Sequence, residues 1–559
     1  MAYGVSWCTR GHFFYSMSDM AMAWTNQLYF GDNLAVLRES IGDESIDLIY
    51  LDPPFNSQAN YNILFRAPAG EHSQAQIEAF EDTWHWNDTA ERAFDEVLHS
   101  GNTETAEMLR AMRTFLKEND VMAYLTMMAI RLLELYRILK STGSLYLHCD
   151  PVAGHYLKIL MDAIFGPDNF RNEIIWKRTS AHSDAKQGSK HYGRTHDLLL
   201  FYVRNQHDML WNQLYTPLDP EYIASHYRQV DERGRRYMWD NLTGPGGAAK
   251  GNAFYEVLGV QNYWRYSREH MQELINQGLV AIPPGGKTPR FKRYLDEQAG
   301  RPLGDVWTDI FPINSQAKER LGYPTQKPLP LLERIINASS KDGAVVLDPF
   351  CGCGTAIHAA QKLLRHWIGI DITHLAISLI EKRLNDAFPG IQYAVHGTPK
   401  DLDGAKDLAD RNKYQFQWWA VSLVNAVPYG GKKKGADSGI DGIIYFKLDG
   451  KQTDKAIVSV KGGEHVSVPM IRDLAHVVDR EQAKIGIFVT LTPPTGPMQI
   501  EATKAGFYTT PYHGNITKIQ ILTIAELFAG KKPTIPFIDS TTFRRPKTEK
   551  TAEQVQLFA

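Results

Sequence analysis

Leu48-Ile49-Tyr50-Leu51 is an apolar run of strand length that stops on Asp52-Pro53-Pro54-Phe55. β-branched and aromatic residues bounded by prolines predict a short buried strand over 47–51, and the prolines fix the chain as it leaves the sheet. A second run, Ala344-Val345-Val346-Leu347, enters the Gly-bearing turn Asp348-Pro349-Phe350-Cys351-Gly352-Cys353-Gly354-Thr355. Residues 356–364 then have helix composition, and Trp367-Ile368-Gly369-Ile370 is the next strand, ending on Asp371. Further strands are predicted within 142–150, 172–178 and 196–202. Residues 71–140 read as helical, with one face through Met122, Leu125, Ala129, Leu132, Tyr136 and Leu139. Residues 205–315 are irregular, rich in Tyr, Trp, Arg and Gly-Pro turns. The polar stretch 401–412 reads as a linker. Beyond it, helix 414–426, strands 440–446 and 456–461, helix 468–484 and strand 486–490 predict a second α/β domain, followed by a polar tail from 541.

Both prominent strands end on an Asp. In open α/β sheets ligands bind at the carboxyl ends of the strands. A strand, a glycine turn, a helix and an acid on the next strand is the layout of an adenosine site, with Asp371 placed to accept from ribose hydroxyls. Gly352 and Gly354 alone would indicate only a structural turn. Asp348 separates this turn from the dinucleotide pattern, because it would repel a pyrophosphate and welcome a cation. S-adenosylmethionine has an adenosine, a sulfonium and an ammonium, and no phosphate.

Charge excludes a bulk basic protein: 61 Lys+Arg stand against 63 Asp+Glu, so nucleic-acid contact requires local patches. Four cysteines, Cys8, Cys149, Cys351 and Cys353, are too few for a disulfide scaffold. No apolar run reaches membrane-spanning length and no secretory signal is visible, so a cytoplasmic setting fits best.

Together the D-P-P-F and D-P-F-x-G-x-G-T motifs resemble the DNA amino-methyltransferases. The catalytic motif comes first and the cofactor motif later, the order of the beta class, which includes type III modification subunits. "LYFGDNLAVL" with Asp32, and "YPTQKPLPLLERII" with Thr325, Lys327 and Pro328, are similar to further family elements. The resemblance covers most of residues 24–390. It implies a Rossmann-like methyltransferase sheet over 1–400, with a catalytic half at 24–204, target recognition inserted at about 205–315 and a cofactor half at about 316–400. It implies S-adenosylmethionine bound by Asp32, Thr325, Lys327, Pro328, Asp348, Pro349, Phe350, Gly352, Gly354, Thr355 and Asp371. Catalysis falls to Asp52, Pro53, Pro54 and Phe55: Asp52 and the Pro53 carbonyl accept the hydrogens of an exocyclic amine, and Phe55 stacks on a base flipped from the duplex. Asp at position 52 points to adenine, with cytosine as the alternative. A release-factor-type protein methyltransferase is a distant alternative, since that family has Asn at this position and its cofactor motif first; RNA is another.

The partner implied is double-stranded DNA. Lys177, Arg178, Lys186, Lys190 and Arg194 form a basic segment suited to phosphates, although a solvated loop is the ordinary reading. A homodimer and a separate restriction partner are both compatible with the family. Residues 413–540 resemble the restriction-endonuclease fold, Mrr-like branch, with Asp441 and Lys461 at nuclease-like positions. Ser459 stands where a metal-binding carboxylate is expected, with Asp437 and Glu464 as the nearby acids. Mg2+ enters only if this domain cuts DNA, which makes a bifunctional modifying and cutting enzyme the second reading.

Overall fold

The computed structural model describes residues 24–54, 60–66, 72–81, 85–179, 190, 192–314, 317, 319–321, 323, 325–429, 439–447, 453–510, 514–536 and 549. Phe55, Lys186, the lysines at 432–434 and Asp437 lie outside them, as does most of the polar tail.

Among the described residues, nine strands form one mixed sheet: β1 (Asn26–Phe30), β2 (Ile46–Leu51), β3 (Leu139–Cys149), β4 (Phe170–Lys177), β5 (His196–Val203), β6 (Val306–Trp307), β7 (Val345–Asp348), β8 (His366–Asp371) and β9 (Tyr393–His396). Their order is β6-β4-β5-β3-β2-β7-β8-β1-β9. The decisive pairing is β2 with β7. These strands are far apart in sequence, yet they run parallel and adjacent, with Leu48 opposite Val346 and Ile49 opposite Leu347. Parallel register carries both carboxyl ends, and therefore Asp52 and Asp348, to one edge of the sheet. Strand β5 alone runs against its neighbours β3 and β4.

Helices α1 (Asn33–Ser40), α2 (Asp88–Leu98), α3 (Thr103–Leu116), α4 (Asp120–Ile138), α5 (Pro151–Phe165), α6 (Leu329–Ser339), α7 (Thr355–Lys362) and α8 (His374–Ala387) surround the sheet. Thirteen of the 19 residues of α4 are buried. It is therefore a core helix on every side rather than a helix with one apolar face, and it packs against α1, α2, α3 and α5. Residues 72–81 depart from the helical expectation. They form a strand paired antiparallel with Asn60–Arg66. Gln74, Gln76 and Glu78 alternate with Ala75, Ile77 and Ala79, which is the strand period of two.

Residues Gln213–Gly304 form a separate compact unit. The expected irregularity is replaced by a small antiparallel sheet, a hairpin (Ala253–Val257 with Val260–Trp264) and a helix (Arg268–Asn276). Its core contains Leu242, Tyr255, Trp264, Met271 and Leu274.

The C-terminal domain is a five-stranded sheet, β10 (Val427–Pro428), β11 (Gly442–Lys447), β12 (Thr453–Lys461), β13 (Ile485–Thr490) and β14 (Ile519–Thr523), in that spatial order. Alternate residues face opposite layers. Ile444, Val458 and Val460 join Phe416 and Trp419 of α10 (Lys413–Leu423), whereas Ile443 and Ile457 join Ile471 and Leu474 of α11 (Val468–Arg480). The expected linker is not a linker. It folds as α9 (Leu402–Arg411), with Ala405, Leu408 and Ala409 buried in the α10 layer. Its apolar residues at three- and four-residue spacing are that buried face. Leu408→Ala is expected to destabilise the C-terminal domain by about 2–5 kcal/mol in denaturant titration followed by tryptophan fluorescence. A change under about 0.5 kcal/mol would be that of an exposed linker.

Candidate active site

The ends of β2 and β7 open into one cavity of about 270 Å³. Asp52, Pro53 and Pro54 line one side. Asp348, Pro349, Phe350, Gly352 and Thr355 line the other, with Asp371 at the end of β8. Asp32, Thr325 and Lys327 also line it. Of the residues expected around a cofactor, Gly354 and Pro328 stand behind the wall. Gly354 is the residue before α7 with φ +72°, where a Cβ would lie 2.8 Å from Ile380; Pro328 precedes α6 and is buried.

The glycine turn is fastened by Asp371. Its Oδ2 accepts the Gly352 amide at 2.9 Å, and its Oδ1 accepts the Thr373 amide and hydroxyl at 2.9 and 2.8 Å. Burial nevertheless raises the Asp371 carboxyl to about 6, the Thr373 and Gly352 hydrogen bonds opposing it. Asp348 is pushed far above the carboxylate range, chiefly by burial and further by the charges of Asp52 and Asp371, against the partial relief of the Phe350 amide. Buried carboxylates raised in this way seek a cation.

The nearby cations are engaged elsewhere. Lys327, expected among the cofactor residues, forms an ion pair with Asp52, and both side chains are largely buried. Arg131 donates to Asp32 at 2.9 Å and to the Asn33 side chain at 2.7 Å, and Asn33 donates to the Pro349 carbonyl at 2.9 Å. This cradle fits a ligand with positive charge and no phosphate. S-adenosylmethionine, when bound, supplies a methyl group on an electrophilic sulfonium. Its ammonium and sulfonium charges suit Asp348 and its ribose suits Asp371.

Sequence reading missed three supports. Arg131 is the one charge in the apolar stretch "MMAIRLL", which was its available signal. Arg383 of α8, also buried, donates to the Cys353 carbonyl at 2.9 Å and to the Thr355 hydroxyl at 3.1 Å, holding the turn from below. Trp418 of α10 belongs to the C-terminal domain, yet it packs in one cluster with Tyr323, Cys353 and Leu375. Tyr323 lines the cavity, and its ring would lie 3.2 Å from a Cβ at Gly352.

Of the basic segment, Lys177 ends β4 and Arg178 follows it, and Lys190 and Arg194 are exposed. In the C-terminal domain, Asp441 is buried, with Oδ2 accepting the Val460 amide at 2.5 Å and Oδ1 in contact with the Gln417 amide. Lys461 closes β12, and Glu464 is exposed with Lys406 at 3.6 Å. Among the described residues, no group of three His, Cys, Asp or Glu could hold a metal ion.

Residues 46–382, more than half of the chain, match the family model for DNA methylases. The chain belongs to this DNA methylase family. Residues 409–526 match the restriction endonuclease family model. The type II methyltransferase M.EcaI of Enterobacter cloacae is 29% identical over 362 residues, covering 64% of this chain and 69% of that protein. The Mod subunit of the type III enzyme StyLTI of Salmonella typhimurium is 28% identical over 355 residues, covering 60% of this chain and 50% of that protein. Among solved structures, PvuII DNA methyltransferase, described as cytosine-N4-specific, aligns with TM-score 0.29 and 12% identity over 64% of this chain and 86% of that one. The M1.HpyAVI–SAM complex aligns with TM-score 0.29 and 14% identity over 64% and 98%. No helix among the described residues is long and apolar enough to cross a membrane.

Because Asp371 is raised to about 6, it becomes protonated as the pH falls through that value and loses acceptor capacity for a diol. Affinity for S-adenosylmethionine, titrated calorimetrically from about pH 8 to pH 5, is expected to weaken below about 6 in the wild type. Asp371→Asn should bind weakly throughout. Affinity that strengthens on acidification would contradict this assignment.

Proposed function

We propose that this chain is a DNA methyltransferase of a restriction-modification system, moving a methyl group from S-adenosylmethionine to the exocyclic amine of a flipped adenine. The observation that carries the reading is the adjacency of two strand ends. Asp52-Pro53-Pro54 and the Asp348 turn come from opposite ends of the domain and line one cavity.

The amine of adenine is a poor nucleophile because its lone pair is delocalised into the ring. Asp52 and the Pro53 carbonyl accept its two hydrogens, which turns the lone pair out of conjugation toward the methyl group. Lys327 fixes the Asp52 carboxylate for this task. Placement supplies most of the rate, since a sulfonium is already an able leaving group. Phe55 would stack on the flipped base. The Asp at position 52 supports adenine over cytosine, by its resemblance to adenine-specific members of the family.

Residues 213–304 are proposed to read the DNA sequence, and Lys177, Arg178, Lys190 and Arg194 to meet phosphates. The Asp441 environment supports a C-terminal domain that keeps the nuclease fold without cutting, which leaves restriction to a separate partner.

Two assays test these readings. With labelled S-adenosylmethionine and mixed genomic DNA, wild type is expected to place label in methyladenine. Asp52→Ala should lower the rate by at least about 100-fold while still binding cofactor. Label in methylcytosine would replace the base assignment, and no label in DNA would overturn the function. Magnesium-supplemented wild type is expected to leave unmethylated phage DNA intact. Cleavage that disappears in Lys461→Ala would establish the bifunctional reading instead.

A further inference from the structure

Beneath the catalytic strand end runs a buried polar chain. Tyr50 is the penultimate residue of β2, Asp52 follows the strand's end, and both line the cavity. In the parallel pairing of β2 with β3, Tyr50 lies opposite Tyr146 and Leu51 opposite Leu147, so the next residue of β3 is His148. The Tyr50 hydroxyl is 2.9 Å from His148 Nδ1, and His148 Nε2 is 3.3 Å from Asp197 Oδ2 on β5. All three residues are at most 3% exposed. The other carboxylate oxygen of Asp197 is 3.1 Å from Arg178 Nε, where the basic segment begins.

Such a chain has a direction. Burial alone would favour a neutral Asp197, yet His148 and Arg178 outweigh it and hold the carboxyl below its ordinary value. A carboxylate only accepts, so Nε2 of His148 carries the hydrogen. Burial, reinforced by the charge of Lys327, lowers the His148 pKa and keeps the ring neutral. Nδ1 is then a lone pair and must accept from Tyr50. Burial and the charges of Asp52 and Asp348 raise the Tyr50 hydroxyl, which therefore keeps its proton. That single proton is committed to His148.

Tyr50 lines the cavity that holds Asp52 and Lys327. We propose that Asp197 and His148 are positioning residues that commit the Tyr50 proton inward, so that its oxygen presents only lone pairs to the active-site cavity and the pocket selects an amine over a carbonyl. The Asp52 carboxylate, the Pro53 carbonyl and the Tyr50 oxygen are then all acceptors. An exocyclic amine is welcomed there, and the keto oxygen of guanine or thymine meets no donor from them. The inference rests on the methyltransferase reading and adds the source of its selectivity for amines.

The test inverts the chain. Asp197→Asn would donate its amide hydrogen to Nε2, moving the ring hydrogen to Nδ1 and turning the Tyr50 proton toward the cavity. Single-turnover methyl transfer from labelled S-adenosylmethionine to mixed genomic DNA is expected to slow by at least about tenfold, with cofactor affinity by calorimetry unchanged. Tyr50→Phe removes the misdirected donor. The double variant should therefore be faster than Asp197→Asn and match Tyr50→Phe alone, whereas a merely structural defect would add to it. Tyr50→Phe itself should be moderately slow with unchanged cofactor affinity, and it carries the test if Asp197→Asn fails to fold. Wild-type speed in either single variant, or a double variant as slow as Asp197→Asn, overturns the inference. Failure of the wild type to label DNA would instead remove the methyltransferase reading.

Discussion

Asp52, Asp348 and Asp371 share one largely buried cavity, and the surrounding structure is arranged around that concentration of negative charge. Like carboxylates held together out of water are costly and drive one another toward the neutral form. The fold gives each a different answer. Asp52 takes Lys327, and Asp371 takes the backbone and hydroxyl donors of its own turn. Asp348 has the Phe350 amide, and burial pushes its carboxyl well above the ordinary range. Such a concentration of carboxylates favours a cationic ligand over an anionic one.

Much of this could be read along the chain because short strands ending in Asp-Pro are locally determined. Prolines stop a ladder wherever they occur, and a glycine turn between strand and helix needs positive φ, as Gly352 and Gly354 show. The adjacency of β2 and β7 was implied by resemblance and is physically a matter of parallel pairing across hundreds of residues, which no local pattern encodes. The supports were less legible. Arg131 and Arg383 are buried cations whose meaning depends on Asp32, Asn33 and the Cys353-Thr355 turn reaching them in space. Lys327, expected near the cofactor, lines the cavity and is paired with Asp52.

The C-terminal domain illustrates the opposite error. Polar residues at 401–412 suggested a tether, but three small or apolar residues on one helical face suffice to bury α9. The next helix then carries Trp418 to the cluster with Tyr323 and Cys353, while the His374 amide donates to Gln415 Oε1 at 3.1 Å. The C-terminal domain therefore packs behind Tyr323 and Cys353, two residues that line the cavity. Its own Asp441 is turned inward toward Gln417 and Val460.

The buried carboxylates Asp348 and Asp371 are placed to meet positive charge. Proton release on cofactor binding measures this directly, by calorimetry of S-adenosylmethionine at about pH 6 in buffers of different ionisation enthalpy. A cation entering beside Asp348 and Asp371 must lower their affinity for protons, so net proton release into the buffer is expected. Binding with no proton exchange, or with proton uptake, would contradict it.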